Sequence, residues 1–235
     1  MRNIILASTS TIHGGEYLEY LLLELATFFK DTEEILFIPY ARPSGLSHDD
    51  YTKKAEKAFA KIKKNVIGIH STKNPVEAIK KAKGIFTGGG NTFVLTNILY
   101  KYNLIETLRA SVQNGTPYLG TSAGSNICGL DIKTTNDMPI VYPPSFGALK
   151  LVPFNINPHY LDPDPNSKHM GETRETRINE FHKFNSQPVV GLREGSWLYI
   201  KGESILLKGN LSARIFEANK TPYEIDTETN LSSIK

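Results

Sequence analysis

The chain has 235 residues, 40% hydrophobic and 22% charged, an ordinary globular composition with enough apolar content for a sizeable core. Its net charge of +3 is dispersed, which argues against nucleic acid or any other polyanion as a partner. A single cysteine, Cys128, excludes an internal disulfide and a CxxC metal site, and no apolar run reaches signal-peptide or membrane-spanning length, so a cytoplasmic chain without a membrane partner is expected.

The first half alternates short β-branched runs with amphipathic segments. "NIILAS" reads as a buried strand, and "GEYLEYLLLELATFFK" as a helix. "EILFIPY" and "NVIGIHS" are strands flanking the lysine-rich "KKAEKAFAKIKKN". At helical spacing that segment puts Ala55, Ala58, Phe59 and Ile62 on one face and its lysines on the other. "NPVEAIKKA" gives a short helix with Asn74 or Pro75 at its start, and "GIFTG" a strand. "NTFVLTNILYKYNLIETLRASVQNG" gives one or two helices ending at Gly115, and "PYLG" one more strand. Continuous apolar strands separated by helices predict a mainly parallel sheet covered on both faces, in one α/β domain over residues 1–235.

From about Asp131 the rhythm breaks. "NDMPIVYPPSFGALKLVPFNINPHYLDPDPNSKHMGE" is proline-rich and only weakly periodic, and long loop-rich stretches of this kind are often functional. A helix is expected over "ETRETRINEFHKF". The segment "VVGLREGSWLYIKGESILLKGNLSARIFEA" predicts antiparallel strands at a sheet edge, turning at Lys201-Gly202 and Gly209-Asn210. The last dozen residues are expected to be peripheral.

Chemistry concentrates at "GTSAGSNICG", directly after "PYLG". Ligands of α/β sheets bind beyond the carboxyl ends of the strands, so Ser122 arrives at that edge just as a helix begins. Gly120 and Gly124 clear its flanks, and Gly-x-Ser-x-Gly fits a nucleophile elbow. The amide of Ala123, at the new helix start, would face a developing oxyanion. A phosphate-binding or purely structural Gly/Ser turn stays open on this pattern alone. A second cluster, "FTGGGNTF", places Gly88, Gly89 and Gly90 between a strand and a helix. It lacks the P-loop and dinucleotide-binding spacings, and it would supply a second oxyanion amide.

The motifs "GGGNTF", "GTSAGSN", "TTNDMPIV", "INPH", "KHMGETRETRI" and "GLREGSW", in this order and spacing, resemble the peptidase E (α-aspartyl dipeptidase) family of serine peptidases. The match runs over nearly the whole chain. The resemblance implies an α/β fold related to class I glutamine amidotransferase domains, and removal of an N-terminal aspartate from dipeptides without a metal or other cofactor. It places the nucleophile on Ser122, its histidine on His159 and the orienting glutamate on Glu194. The oxyanion amides fall on Gly90 and Ala123. Asp137 matches a family aspartate needed for activity and is the candidate for the substrate's α-amine. Arg174 matches the arginine that reads the aspartyl carboxylate. Thr121 departs from the tryptophan of typical members and resembles the small residues of cyanophycin-degrading relatives.

Each of these residues also has an ordinary structural reading. Of six histidines, His159 sits on a stiff Asn-Pro-His segment suited to a base. His13 and His70 read as structural, and His169 and His182 as exposed. Glu194 would ordinarily be a solvated turn residue, and Asp137 a turn or helix cap. Arg174 and Arg177 have Glu172 and Glu175 as ready ion-pair partners. Cys128 reads as a small buried hydrophobe in the elbow helix. The alternatives to the dipeptidase are a cyanophycinase-like peptidase acting on β-aspartyl bonds, for which the chain shows no polymer-binding insertion, and a non-catalytic amidotransferase-like binding module.

Overall fold

A computed structural model describes residues 1–164, 166, 168 and 171–235, so His169 lies outside the described residues. The first half supplies strands β1 (Asn3–Ala7), β2 (Glu34–Ile38), β3 (Asn65–Gly68), β4 (Ile85–Thr87) and β5 (Tyr118–Thr121). Between and after them come helices α1 (Leu22–Phe28), α2 (His48–Ala60), α3 (Pro75–Lys81), α4 (Thr92–Lys101), α5 (Ile105–Gln113) and the short α6 (Ala123–Asn126). The second half contributes β6 (Asn155–Pro158), α7 (Arg174–Phe181) and β7 (Val189–Leu192). Strands β8 (Ser196–Lys201), β9 (Ser204–Gly209), β10 (Ala213–Phe216) and β11 (Tyr223–Ile225) follow.

A seven-stranded sheet runs in the order β3-β2-β4-β5-β1-β8-β9, its first five strands parallel and the last two antiparallel. Alternate residues of the parallel strands enter two cores. Ile4, Leu6 and Tyr118 pack with α3, α4 and α5 on one face. Ile5, Ala7, Phe86 and Leu119 pack with α1 and α2 on the other. Both faces are therefore apolar, which is why the strands read as continuous hydrophobic runs. A fully buried ring such as Phe86 carries much of this stability, and its truncation to alanine would cost roughly 3–5 kcal/mol. The helix starts are marked in the sequence: the Asn74 and Asn91 side chains accept the Glu77 and Val94 amides at 3.2 and 3.0 Å.

Four expectations need correction. The helix expected from Gly15 begins as α-helix only at Leu22. Leu18 has left-handed backbone (φ 59°) and its amide bonds Ser10 at 2.7 Å, so Tyr17 and Leu18 are buried by a loop folded over the end of β1. Tertiary packing here overrides helix propensity. The "NINP" segment is a strand, β6, and not loop. The Gly209-Asn210 turn does not return the chain to the same sheet edge. It carries the chain from β9 into a second sheet, β11-β10-β7-β6, in which β6 and β7 are parallel. The tail is packed, because Leu231 is fully buried and its amide bonds Ile205 at 2.7 Å.

Candidate active site

The β5–α6 junction forms around one residue. Ser122 has φ 53° and ψ −112°, a conformation sparsely populated by residues with a side chain. It persists because the surroundings pin it. The Ser122 amide donates to Ala7 at 3.1 Å, the Ser125 hydroxyl donates to Ala7 and Gly120, and the Tyr118 hydroxyl donates to Gly124 at 2.9 Å. Gly124 must be glycine, since a β-carbon there would stand 2.2 Å from the Thr87 carbonyl oxygen. Helix α6 is thus pressed onto β4, with Ser122 lifted above the sheet edge.

The second sheet delivers the partners. In its parallel register Pro158 pairs with Leu192, so the residues leaving the ends of β6 and β7 become neighbours although 35 positions apart. Those residues are His159 and Glu194. His159 Nε2 lies 2.8 Å from Ser122 Oγ, and its Nδ1 lies 2.5 Å from Glu194 Oε1. His159 itself has left-handed backbone (φ 54°). The histidine and glutamate side chains are 36% and 44% exposed, so the pair is open to a ligand from solvent.

Two backbone amides face no protein acceptor. Neither the Gly90 nor the Ala123 N–H is hydrogen-bonded among the described residues, although the neighbouring Asn91 amide bonds Ala41 at 2.7 Å. Gly90 adopts φ 144°, and a β-carbon on it would collide with the Ala41 carbonyl at 2.2 Å, so only glycine turns its amide this way. A strained serine, an imidazole, a carboxylate and two free amides form a constellation suited to acyl transfer.

The model of peptidase family S51 matches residues 4–208. The chain belongs to peptidase family S51. It is 46% identical to a peptidase E of Streptomyces coelicolor over 232 residues, covering 99% of this chain and 94% of the relative. It is 47% identical to a Drosophila melanogaster protein named a probable alpha-aspartyl dipeptidase, covering 95% and 93%. The fold is shared with a crystal structure of a peptidase from an acI-B1 Actinobacterium, at TM-score 0.75 and 16% identity, covering 98% of this chain and 96% of that one.

The remaining candidates of this S51 chain fall around the same edge. Asp137 is not bonded to His159. Its Oδ2 accepts the Thr92 amide at 2.7 Å and the Thr135 hydroxyl at 3.0 Å, capping α4 while Oδ1 has no donor among the described residues. A buried amide ladder holds this loop. Asn157 Nδ2 donates to Thr134 and to Asn136 Oδ1, and Asn136 donates to Pro158 at 2.6 Å.

Arg174 opens α7 behind the Thr173 cap. The ion-pair reading applies to its neighbours instead: Arg177 pairs with Glu172 at 3.7 Å, and Glu175 with Arg214 at 3.2 Å. Arg174 has no acidic partner within ion-pair distance among the described residues. Burial, then Arg177, pull its guanidinium below the usual arginine range, while Asp137 is near enough to push the other way. It borders a cleft of about 390 Å³ with Leu161, Asp162 and Arg177, which no residue of the Ser122–His159–Glu194 chain lines.

Among the other histidines, His70 is tied to Asp49 at 2.8 Å, and His182, half-buried rather than exposed, lies 3.1 Å from the Gln187 carbonyl. Cys128 falls just beyond α6, where burial pushes its thiol far above the usual range.

Two residues that position the site escaped sequence reading. Ser8, fully buried at the end of β1, donates to the Leu192 carbonyl at 2.6 Å and accepts the His159 amide at 2.8 Å. It ties the two sheets together beneath the imidazole. Arg193 forks onto Asp162 at 2.7 and 2.9 Å and onto Glu224 at 2.8 and 3.0 Å, and its guanidinium lies 5.5 Å from the centre of the Tyr160 ring. Arg193 precedes Glu194 and Tyr160 follows His159, so one cation clamps both turns. A hydroxyl ending a parallel strand and an arginine beside a candidate carboxylate are the faint traces that these roles leave in the sequence.

Proposed function

We propose that the chain is a serine dipeptidase that removes N-terminal aspartate from Asp-Xaa peptides through an acyl-enzyme on Ser122. The observation carrying this reading is the unbroken contact from Ser122 Oγ through His159 to Glu194, beside the free amides of Gly90 and Ala123. Ser122 Oγ attacks the aspartyl carbonyl carbon while His159 Nε2 takes its proton. Glu194 holds the imidazole with Nδ1–H towards itself and stabilises the imidazolium. The two amides bind the oxyanion, each worth roughly 2.7–4 kcal/mol in comparable sites. The imidazolium then protonates the departing nitrogen, the C–N bond breaks, and the second amino acid leaves. A water repeats the sequence at the ester, giving its proton to His159 and releasing aspartate.

The name of the Drosophila relative, a probable alpha-aspartyl dipeptidase, supports aspartate as the first residue. Arg174 supports it chemically, as a planar fork without an acidic partner, suited to binding a carboxylate through two parallel bonds. Asp137 Oδ1 is free to take the substrate's α-ammonium, which would confine cleavage to the first residue. No helix among the described residues is long and apolar enough to cross a membrane. The single free cysteine supports a cytoplasmic setting.

Initial rates on Asp-Leu, Glu-Leu, Ala-Leu and β-Asp-Leu test the reading. Rapid cleavage of Asp-Leu alone, unaffected by EDTA, is expected. Faster cleavage of β-Asp-Leu, or no cleavage of Asp-Leu, would overturn it.

A further inference from the structure

One further cation at the strand edge lacks a counter-charge among the described residues. Arg42 follows β2, and Pro43 behind it confines its backbone to extended conformations. Its guanidinium lies 5.0 Å from the centre of the Tyr51 ring. It makes no ion pair or hydrogen bond among the described residues. Its Nε is sealed from solvent with no acceptor, while its terminal nitrogens stay open. A buried N–H without a partner is costly, and an aromatic face compensates a cation only in part. Its terminal N–H groups are left able to bind an anion.

Its location says which anion. The Tyr51 hydroxyl donates to the Gly89 carbonyl at 3.1 Å, and Gly89 lies directly against the nucleophile, so that a β-carbon on it would be 2.9 Å from Ser122 Cβ. Arg42 is therefore linked to Ser122 through Tyr51 and Gly89. It stands on the α2 face of the sheet, because Tyr51 belongs to α2 and packs in one core with α1. Asp137 caps α4, whose Phe93, Leu95 and Leu99 pack on the opposite face. A dipeptide lying across Ser122 with its aspartyl end towards Asp137 and Arg174 directs its second residue towards Arg42. In that residue only about 3.5 Å of chain separates the scissile carbonyl from the terminal carboxylate. The same corner holds a second cation, Lys54, whose Nζ is 4.9 Å from the centre of the Tyr17 ring.

We propose that Arg42 binds the α-carboxylate of the leaving amino acid, making it the residue that restricts this enzyme to dipeptides. The inference rests on the dipeptidase reading above. Free and carboxyl-blocked substrates test it: kcat/KM is measured for Asp-Leu and for Asp-Leu-amide, in the wild-type enzyme, Arg42→Gln, Arg42→Lys and Lys54→Gln. The acid-to-amide ratio of Arg42→Gln gives the intrinsic difference between the substrates. The wild-type ratio is expected to exceed it by 10- to 100-fold, mainly through KM for the acid, with Arg42→Lys intermediate and Lys54→Gln close to wild type. Product inhibition provides a readout that needs no variant: leucine should compete at least tenfold better than leucinamide.

Equal ratios in wild type and Arg42→Gln, or a collapse confined to Lys54→Gln, would overturn the assignment of Arg42. Equal inhibition by leucine and leucinamide would overturn it even if Arg42→Gln did not fold. Failure of the wild-type enzyme to cleave Asp-Leu at all would instead overturn the dipeptidase reading on which the inference stands.

Discussion

Replacing Ser8 by alanine removes one oxygen and two hydrogen bonds, the 2.6 Å bond to the Leu192 carbonyl and the 2.8 Å bond from the His159 amide. The carbonyl keeps its bond from the Tyr160 amide at 3.1 Å, so losing the hydroxyl costs about 0.5–1.5 kcal/mol, and the partly accessible His159 amide adds about 1 kcal/mol. A total near 1.5–2.5 kcal/mol should lower Tm by roughly 3–10 °C for a chain of this size. The kinetic effect has a different origin. His159 is held with a left-handed backbone that a β-carbon disfavours by about 1–2 kcal/mol, and Ser8 is what grips its amide. Once released, the backbone relaxes and the 2.8 Å contact from Nε2 to Ser122 lengthens. A misplacement of about 1 Å costs on the order of 10²-fold in rate. In Asp-Leu assays followed by leucine release, Ser8→Ala should lose roughly 10- to 100-fold in kcat while KM stays within about twofold. Ser8→Thr, which keeps the hydroxyl, should retain more activity. An alanine variant with wild-type kcat, or a loss falling on KM, would refute the positioning role of Ser8.

Arg174→Ala should cut kcat/KM for Asp-Leu by about 2–5 kcal/mol, with Arg174→Lys recovering only part, and should affect a slow Ala-Leu reaction far less. Equal losses on both substrates would make Arg174 structural. Gly124→Ala must displace α6 from the Thr87 carbonyl by about 1 Å, so both kcat and the rate of serine labelling should fall by about 10²-fold; unchanged labelling would show that the elbow tolerates the shift. Arg193, then Ser212 and Arg214, hold the Glu224 carboxyl down at about 2 against the pull of burial, from an ordinary 4.5. Because the folded value is depressed, this carboxylate's stabilisation is fully present above about pH 4.5 and is lost as pH falls towards 2. The difference in urea midpoint between wild type and Glu224→Gln should therefore be largest at neutral pH and shrink below pH 4.5. A pH-independent difference would count against the Arg193 clamp.

The parts of the site that are legible in the sequence are the short motifs. Ser122 stands between Gly120 and Gly124, and Gly90 in a run of three glycines, so both turns are visible in composition although the contacts that demand Gly124 and Gly90 come from Thr87 and Ala41, far along the chain. The parallel strands were legible because burial on both faces makes them continuous apolar runs. The meeting of His159 with Glu194 was not. It depends on the parallel register of β6 and β7, and β6 is four residues containing two asparagines and a proline, with no strand periodicity to detect. Only the family resemblance selected those two residues beforehand. For the same reason the second sheet was read as an edge of the first: β9 and β10 look like one hairpin until Gly209 sends the chain elsewhere. Ser8 acts between sheets, through two backbone groups of distant segments, and no sequence spacing encodes that.

Covalent trapping at Ser122 tests the mechanism most directly. An aspartyl phosphonate ester incubated with the enzyme at neutral pH, followed by proteolysis and mass spectrometry, should place one stoichiometric adduct on the peptide containing Ser122. Activity should fall in step with labelling, and Ser122→Ala should give no adduct. Full inactivation with the adduct elsewhere, or undiminished Asp-Leu hydrolysis by Ser122→Ala, would contradict Ser122 as the nucleophile.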